Sequence, residues 1–305
     1  MPGSKVERIG LGERGDLRLL GGSRGGKYPS GNSLLLEDDL CLVVDPSLDV
    51  AEAGASVTSR KVDLVINSHA HEDHFAGNSV FEDAELLLHE NEAPLMASLD
   101  ALMAAYGMDE EFDTLWRQVT VDKFNFRPRP DARSAVDGEV IDTGRNRVHL
   151  LHTPGHTSGH LVVRFEPDDI VFVGDLDLTT FGPYYADASA SLDETVASLE
   201  MLRDMAPGLR AFVSFHEAGV IEDDLVGAVD RYLAVVDHRD RRLLELSEEP
   251  RSLAEIAREC VVYGKRYEHI PWQPFAERVM MERHAERLIV RGELTREEDG
   301  RFRRV

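Results

Sequence analysis

His69-Ala70-His71-Glu72-Asp73-His74 packs three imidazoles and two carboxylates into six residues, directly after the apolar run Val62-Asp63-Leu64-Val65-Ile66. Three more polar groups follow apolar runs in the same way. Thr153-Pro154-Gly155-His156 comes after Val148-His149-Leu150-Leu151, Gly174-Asp175 after Ile170-Val171-Phe172-Val173, and Ser214-Phe215-His216 after Ala211-Phe212-Val213. Short runs of this kind predict strands, so each polar group should occupy a loop at a strand end, where α/β proteins place their sites. His69, His71, Asp73, His74, His156, Asp175 and His216 together have the ligand chemistry of a two-metal hydrolytic centre. A helix start with polar caps would account for the first group and leave the other three loops unexplained.

In a turn after a strand, His69 and His71 can point the same way, and Asp73 and His74 can face a second ion beside the first. Two bare cations that close repel, so a shared anionic ligand is needed; Asp175 suits that role, with a water or hydroxide as the other bridge.

The pattern H-x-H-x-D-H, followed by a His, an Asp and a His each after its own strand, resembles the metallo-β-lactamase superfamily. All seven positions match, over roughly residues 15–220. The steps of 87, 19 and 41 residues from His69 to His156, Asp175 and His216 are similar to those of the glyoxalase II and lactonase-like branches. The resemblance implies a four-layer αββα sandwich of two mixed sheets, of α/β class. It implies one metal site of His69, His71 and His156, a second of Asp73, His74 and His216, and Asp175 bridging them. Two zinc ions are the expected cofactors, with iron or manganese as alternatives. Asp45, in Val43-Val44-Asp45-Pro46, matches an acid that orients the ligand loop by hydrogen bonds; otherwise it is a turn residue before proline.

Length and composition agree with an enzyme of this size. The chain has 305 residues, 42% of them hydrophobic, enough for one large core and an appendage. No apolar run approaches the ~20 residues of a membrane span. Met1-Pro2-Gly3-Ser4-Lys5 leads into charged sequence without an apolar signal region, and Cys41 and Cys260 suggest no disulfide framework; the expectation is a cytoplasmic protein. The net charge of −23 is uneven: residues 222–305 hold 16 Lys/Arg and 19 Asp/Glu, leaving −20 on residues 1–221. Such a domain repels polyanions, so nucleic acid is not the expected partner and a small-molecule substrate is; residues 222–305 are expected to support the catalytic domain or a homodimer contact. Only five lysines occur, Lys5, Lys27, Lys61, Lys123 and Lys265, which fits either adaptation to high salt or a GC-rich genome that favours Arg.

The domain division expected is 1–221, catalytic, and 222–305, C-terminal. Ser33-Leu34-Leu35-Leu36 and Leu40-Cys41-Leu42-Val43-Val44 predict a hairpin. Residues 91–120 break the strand pattern: Leu95, Leu99, Leu102, Met103 and Tyr106, then Phe112, Leu115, Trp116 and Val119, have helical spacing. This insertion either packs on the core or closes over the site, with Tyr106 and Trp116 best suited to face substrate. Arg127-Pro128-Arg129-Pro130 and Arg133 are a solvated linker or a carboxylate clamp. In Gly182-Pro183-Tyr184-Tyr185 the Tyr184 phenol could donate to a developing oxyanion, so Asp73 and Tyr184 are the candidate catalytic residues. His160 reads as loop support; His89, His149, His152, His238, His269 and His284 read as ordinary packed or surface histidines.

After His216 the pattern becomes helical. Residues 221–246 and 274–291 predict helices, and Ser252-Leu253-Ala254-Glu255 is a capping box. Leu294-Thr295-Arg296 and Arg301-Phe302-Arg303-Arg304-Val305 flank the turn signal Glu298-Asp299-Gly300. Three helices and a hairpin resemble a winged-helix unit.

The leading functional reading is a binuclear hydrolase of a small ester, thioester or lactone, in which a metal-bridging hydroxide attacks the carbonyl. No complete glutathione-binding signature accompanies the motif. One alternative is a nuclease that holds RNA or DNA with the C-terminal module and Arg301, Arg303 and Arg304. The other is a mononuclear-iron persulfide dioxygenase. His71 stands where flavodiiron proteins use Glu, and no flavodoxin-like region is present, which speaks against a diiron electron carrier.

Overall fold

A computed structural model describes residues 6–12, 16–217, 219–268 and 270–305. Lys5, the Met1–Lys5 start and His269 lie outside the described residues. Two mixed sheets face each other. The first runs in the order β1 (Glu7–Leu11), β2 (Leu17–Gly21), β3 (Ser33–Glu37), β4 (Cys41–Val44), β5 (Leu64–Ile66), β6 (Glu85–His89), β7 (Arg133–Ala135). The second runs β13 (Val220–Ile221), β12 (Ala211–Val213), β11 (Ile170–Phe172), β10 (Leu161–Glu166), β9 (Arg147–His152), β8 (Val140–Asp142). β1 to β4 form an antiparallel meander; β4 to β7 are parallel, and so are β11 and β12.

Alternation along the strands builds the layers. Leu34, Leu36, Leu42, Val44, Leu64 and Ile66 point between the sheets and meet Val148, Leu150, Leu161, Val163, Phe165 and Phe172. Leu35, Val43, Val65, Leu86 and Leu88 point outward, under the helical residues Val50, Phe75, Met103, Tyr106 and Trp116. On the other side Val162, Val171 and Phe212 are covered by Leu199, Leu202, Val229 and Tyr232. Each fully buried aliphatic side chain contributes roughly 1.5–3 kcal/mol, and the period of two leaves no register in which these faces exchange. The result is the four-layer arrangement expected, helices outside and two sheets within.

The outer helices are α1 (Leu48–Ala53), α2 (Glu72–Phe75), α3 (Leu99–Tyr106), α4 (Glu110–Asp122) and α5 (Leu192–Met205). α3 and α4 form the predicted insertion. Tyr106 is buried beside the ligand loop, whereas Trp116 stacks against Trp272, ring centroids 4.9 Å apart, as part of the core. Leu115, placed by its spacing on the apolar face, is exposed.

Then come α6 (Leu225–Leu246), α7 (Leu253–Arg258), α8 (Gln273–Val290) and the hairpin β14 (Leu294–Arg296) with β15 (Phe302–Arg304). Ser252 and Glu255 form the capping box that opens α7. α6 contributes Leu225, Val229 and Tyr232 to the layer on the second sheet. Further along it contributes Val236 and Leu243 to a cluster with Ile256, Met280, Leu288, Leu294 and Phe302. Among the described residues no helix is long and apolar enough to cross a membrane.

Asp38, in the β3–β4 hairpin, clamps the two sheets together. Its Oδ2 accepts from Thr143 Oγ1 (3.0 Å), Arg145 N (2.9 Å), Asn146 N (2.9 Å) and Asn146 Nδ2 (2.7 Å), and its Oδ1 from Arg145 Nε (2.9 Å). Burial opposes the charge, but the Arg145 and Asn146 donors outweigh it and hold the carboxyl far below the usual carboxylate range. Asp38→Ala strands those donors and should cost about 2–3 kcal/mol at neutral pH. Because the folded pKa is depressed, the contribution is full above the unfolded value of about 3.9 and fades as pH falls below it. Urea unfolding of parent and variant should therefore show a gap that narrows below about pH 4; a gap independent of pH would contradict an ionised Asp38.

Candidate metal centre

The carboxyl ends of β5, β9, β11 and β12 point to one edge, and the four ligand loops meet there. Ligand atoms of His69, His71, His156 and Asp175 lie within 4.8 Å of one another; those of Asp73, His74 and His216 form a second such group. Asp175 reaches both: Oδ2 is 3.4 Å from His156 Nε2, and Oδ1 is 3.0 Å from His74 Nε2 and 3.7 Å from His216 Nε2. Asp73 Oδ2 stands 3.2 Å from His216 Nε2. The structure thus brings all seven sequence-predicted residues together.

Each imidazole offers one nitrogen to the centre and ties the other down. His74 Nδ1 bonds Asp45 Oδ2 at 2.7 Å, and His71 Nε2 bonds Asp187 Oδ2 at 2.5 Å. His156 Nδ1 donates to the Tyr184 carbonyl (2.9 Å) and His216 Nδ1 to the Gly26 carbonyl (3.1 Å). His69 Nδ1 meets Ser68 Oγ at 3.0 Å. Partners of this kind fix tautomer and ring orientation in metal-binding histidines. Two glycines let the loops approach. Gly174 has φ +53°, and a Cβ there would sit 2.6 Å from His160 Nε2 and 3.0 Å from Ser68 Oγ. Gly155 has φ +134°, with Thr195 N 2.2 Å from its would-be Cβ.

The electrostatics are those of a donor set short of positive charge. Burial pushes the His156 imidazole down to about 4. Burial would also lower His71 and His216, but Asp187 lifts the first to about 9, and Asp175 and Asp73 lift the second to about 10. Asp175 is held well below the carboxylate range by His74 and His216 despite its burial. Asp73 Oδ2, Asp175 Oδ1 and His74 Nε2 are buried and approach their neighbours in the centre only as charge contacts, without hydrogen-bond alignment. Three converging polar atoms without aligned hydrogen bonds, amid imidazoles that cannot all be protonated, fit divalent cations bound to neutral His and ionised Asp.

Asp45 is fully buried and also accepts from Ser68 N and Ser68 Oγ, both at 2.6 Å, so it orients the ligand loop as expected. His160 supports a loop: Nδ1 meets Thr153 Oγ1 at 2.8 Å and Nε2 accepts from Asp175 N at 3.2 Å. Tyr106 stacks on His71, rings 5.4 Å apart, and donates to Glu72, which also accepts from Tyr28 Oη at 2.9 Å. Arg129 pairs with Asp131, and Arg133 with Glu85 and Glu139, which is the linker reading of that patch. His89 stacks on His152, His149 pairs with Glu166, and His284 is buried between Asp240 and Tyr185.

Residues that sequence reasoning missed include Asp187 and Glu92. The Glu92 carboxylate accepts from Ala70 N and Gly159 N, both at 3.0 Å, and so ties two ligand loops together. The Gly26 carbonyl and Tyr28 were missed as well. Only Asp187 left a trace, lying twelve residues after Asp175 in a stretch already singled out for Tyr184.

Residues 27–214 match the profile of the Metallo-beta-lactamase superfamily. The chain belongs to this superfamily. A hydroxyacylglutathione hydrolase from Francisella philomiragia subsp. philomiragia is 26% identical over 143 residues, 47% of this chain and 45% of that protein. An acyl-coenzyme A thioesterase from Gallus gallus is 28% identical over 118 residues, 37% of this chain and 41% of that protein. The chain thus spans less than half the length of these curated relatives. Among solved structures, a metallo-beta-lactamase family protein from Thermus thermophilus is similar with TM-score 0.73 at 24% identity, covering 95% of this chain and 99% of that one. A beta-lactamase domain protein from Burkholderia ambifaria gives TM-score 0.73 at 19% identity, covering 100% and 95%. These two likenesses are of fold, and their coverage takes in the helical C-terminal region. The seven candidate ligands follow β5, β9, β11 and β12, with Asp73 and His74 in the short helix α2 and the others in loops.

Proposed function

We propose that this chain is a binuclear metal-dependent hydrolase of a small acyl thioester. The observation that carries the reading is the pair of adjacent His/Asp groups, with Asp175 within reach of both. The thioester is suggested by the relatives, whose names specify hydroxyacylglutathione and acyl-coenzyme A. His69, His71 and His156 would hold one cation, Asp73, His74 and His216 the other, and Asp175 both. Zinc suits a site of imidazole and carboxylate ligands. Bound there, the cations supply Lewis acidity toward a carbonyl and a nucleophile available at neutral pH.

The chain's own groups do the rest. Asp187, Asp45, Ser68 and the carbonyls of Tyr184 and Gly26 hold each imidazole by one nitrogen so that the other is aimed inward. Burial raises the Tyr184 phenol well above its ordinary range, so it stays protonated, a donor suited to an oxyanion. A cavity of about 380 Å³ is lined by Phe181, Glu217, Val235, His238, Arg239 and Tyr263, among others; Glu217 directly follows His216 in the chain. It would take the organic part of the substrate and exclude water from it.

A panel of acyl thioesters, esters, lactones and single-stranded RNA, assayed with the zinc-loaded chain, tests the reading. Thioester turnover inhibited by a chelator is expected. RNA cleavage with no thioester turnover would replace it with the nuclease, against the −20 charge of residues 1–221. His238→Trp, at an exposed position on the cavity wall, narrows the cavity and should raise KM for a bulky acyl thioester about tenfold while sparing an acetyl thioester. Equal effects on both would remove the cavity from the substrate path.

A further inference from the structure

The segment Phe181–Asp187 runs between the metal centre and the C-terminal helices. Its alternate carbonyls, those of Phe181, Pro183, Tyr185 and Asp187, all accept from two arginines of the C-terminal region. Arg239 of α6, only 1% exposed, donates from Nη2 to Phe181 O (2.7 Å) and from Nη1 to Pro183 O (2.6 Å) and Tyr185 Oη (3.0 Å). Arg283 of α8 donates from Nε to Tyr185 O (2.9 Å) and from Nη2 to Asp187 O. The carbonyl between those of Pro183 and Tyr185, Tyr184 O, instead takes His156 Nδ1 at 2.9 Å. The same segment ends at Asp187, whose carboxylate holds His71 Nε2 at 2.5 Å.

A segment outside any sheet must satisfy its buried carbonyls somewhere. Here the two guanidiniums stand in for a neighbouring strand. A planar fork with several fixed donors can bridge carbonyls on alternate residues, and a lysine cannot span them in the same way. Gly182 completes the fit: it has φ +83°, and a Cβ there would lie 2.4 Å from Val235 Cγ1 on α6. Tyr185 Oη also meets His284 Nε2 at 2.6 Å, so the segment is anchored to α8 by a side chain as well.

We propose that Arg239 and Arg283 are positioning residues for the metal centre, through which the C-terminal helices set the cation affinity of the His69, His71, His156 group. The proposal rests on the metal-centre reading and is independent of which substrate is hydrolysed. Losing a partner that orients a metal-bound histidine costs 10–100-fold in metal affinity. These arginines act on two such partners at once, Tyr184 O and the Asp187 carboxylate.

The test is a zinc titration of the full chain against a competing chromophoric chelator, with the cobalt-substituted visible spectrum as a second readout. Arg283→Met should weaken zinc binding about 10–100-fold and alter the cobalt spectrum. Arg283→Lys, which keeps charge and some donors, should recover part of that loss. Arg239→Lys should weaken binding while retaining the helical circular dichroism, which keeps the question open to measurement if Arg283→Met folds poorly. Arg278→Met, on the same helix and paired with Asp109 away from the segment, should bind zinc as the parent does. Parent-like zinc affinity in both Arg283→Met and Arg239→Lys would overturn the proposal. A parent chain that binds zinc but hydrolyses no thioester would leave it standing and remove only the substrate assignment. A parent that binds no zinc would overturn both.

Discussion

Asp73→Ala and His156→Ala are each expected to cut turnover by about 10³-fold or more while leaving a folded protein. His156 belongs to one ligand group and Asp73 to the other, so each variant disables a different half of the centre. Metal-assisted charge stabilisation is worth several kcal/mol, and each 1.36 kcal/mol is tenfold in rate. The fold should survive because the Asp73 and His156 side chains face the centre and do not belong to the packed apolar layers. Leu34, Leu42, Val44, Ile66 and Phe172, which hold the sheets together, belong to the inter-sheet cluster, of which no ligand is a member. Activity, zinc content by elemental analysis and thermal melting should be measured on the same preparations. Zinc content should drop in both variants, with melting of the metal-free proteins close to that of the metal-free parent. Near-parental turnover in either variant would refute the proposed chemistry.

Much of this architecture can be read in the chain because its two main signals are local. The unbroken apolar runs Leu34-Leu35-Leu36 and Leu42-Val43-Val44 require layers on both faces of a sheet, and the structure supplies them. The candidate ligands are legible because a metal constrains residue type: only a few side chains can serve, and four segments that follow strands carry them. What positions the ligands is far less legible. Backbone carbonyls such as those of Gly26 and Tyr184 leave no mark on residue identity. Glu92 and Asp187 are ordinary acids among 57 until the fold brings them to the ligand loops. Arg239 is the sharpest case. In sequence it sits in Asp237-His238-Arg239-Asp240-Arg241-Arg242, a charged stretch that reads as a solvated helix face, yet it is almost fully buried. Its burial follows from the Phe181–Asp187 segment, whose carbonyls no periodicity announces. Trp116 fails in the opposite sense. Its spacing allowed a place in a substrate wall, and Trp272, 156 residues later, takes it into the core.

Asp45→Asn should be the most damaging conservative change at a position outside the ligand set. Asp45 follows β4 and sits at φ +45°, a left-handed conformation that Asn also tolerates, so the substitution leaves the backbone unstrained. What changes is the direction of the hydrogen bonds. The carboxylate accepts from Ser68 N and Ser68 Oγ (2.6 Å each) and from His74 Nδ1 (2.7 Å). Since Ser68 Oγ gives its proton to Asp45, it must accept from His69 Nδ1 at 3.0 Å. His69 Nε2 and His74 Nε2 are thereby left with free lone pairs, one for each ligand group. A single carboxylate thus sets the tautomers of a ligand on either side of Asp175. An amide in its place turns an NH2 toward donors that are themselves fully buried. Stranding them should cost about 3 kcal/mol or more in urea unfolding. Zinc affinity should fall about 10–100-fold at both ligand groups. This separates Asp45 from Arg239 and Arg283, whose loss should weaken the His71 and His156 side first. Asp45→Ala adds the strain of a left-handed alanine, roughly 1–2 kcal/mol more. If Asp45→Asn kept both zinc ions through chelator dialysis and unfolded at the parent's urea midpoint, the hydrogen-bond chain from Asp45 through Ser68 to the two imidazoles would not govern the centre.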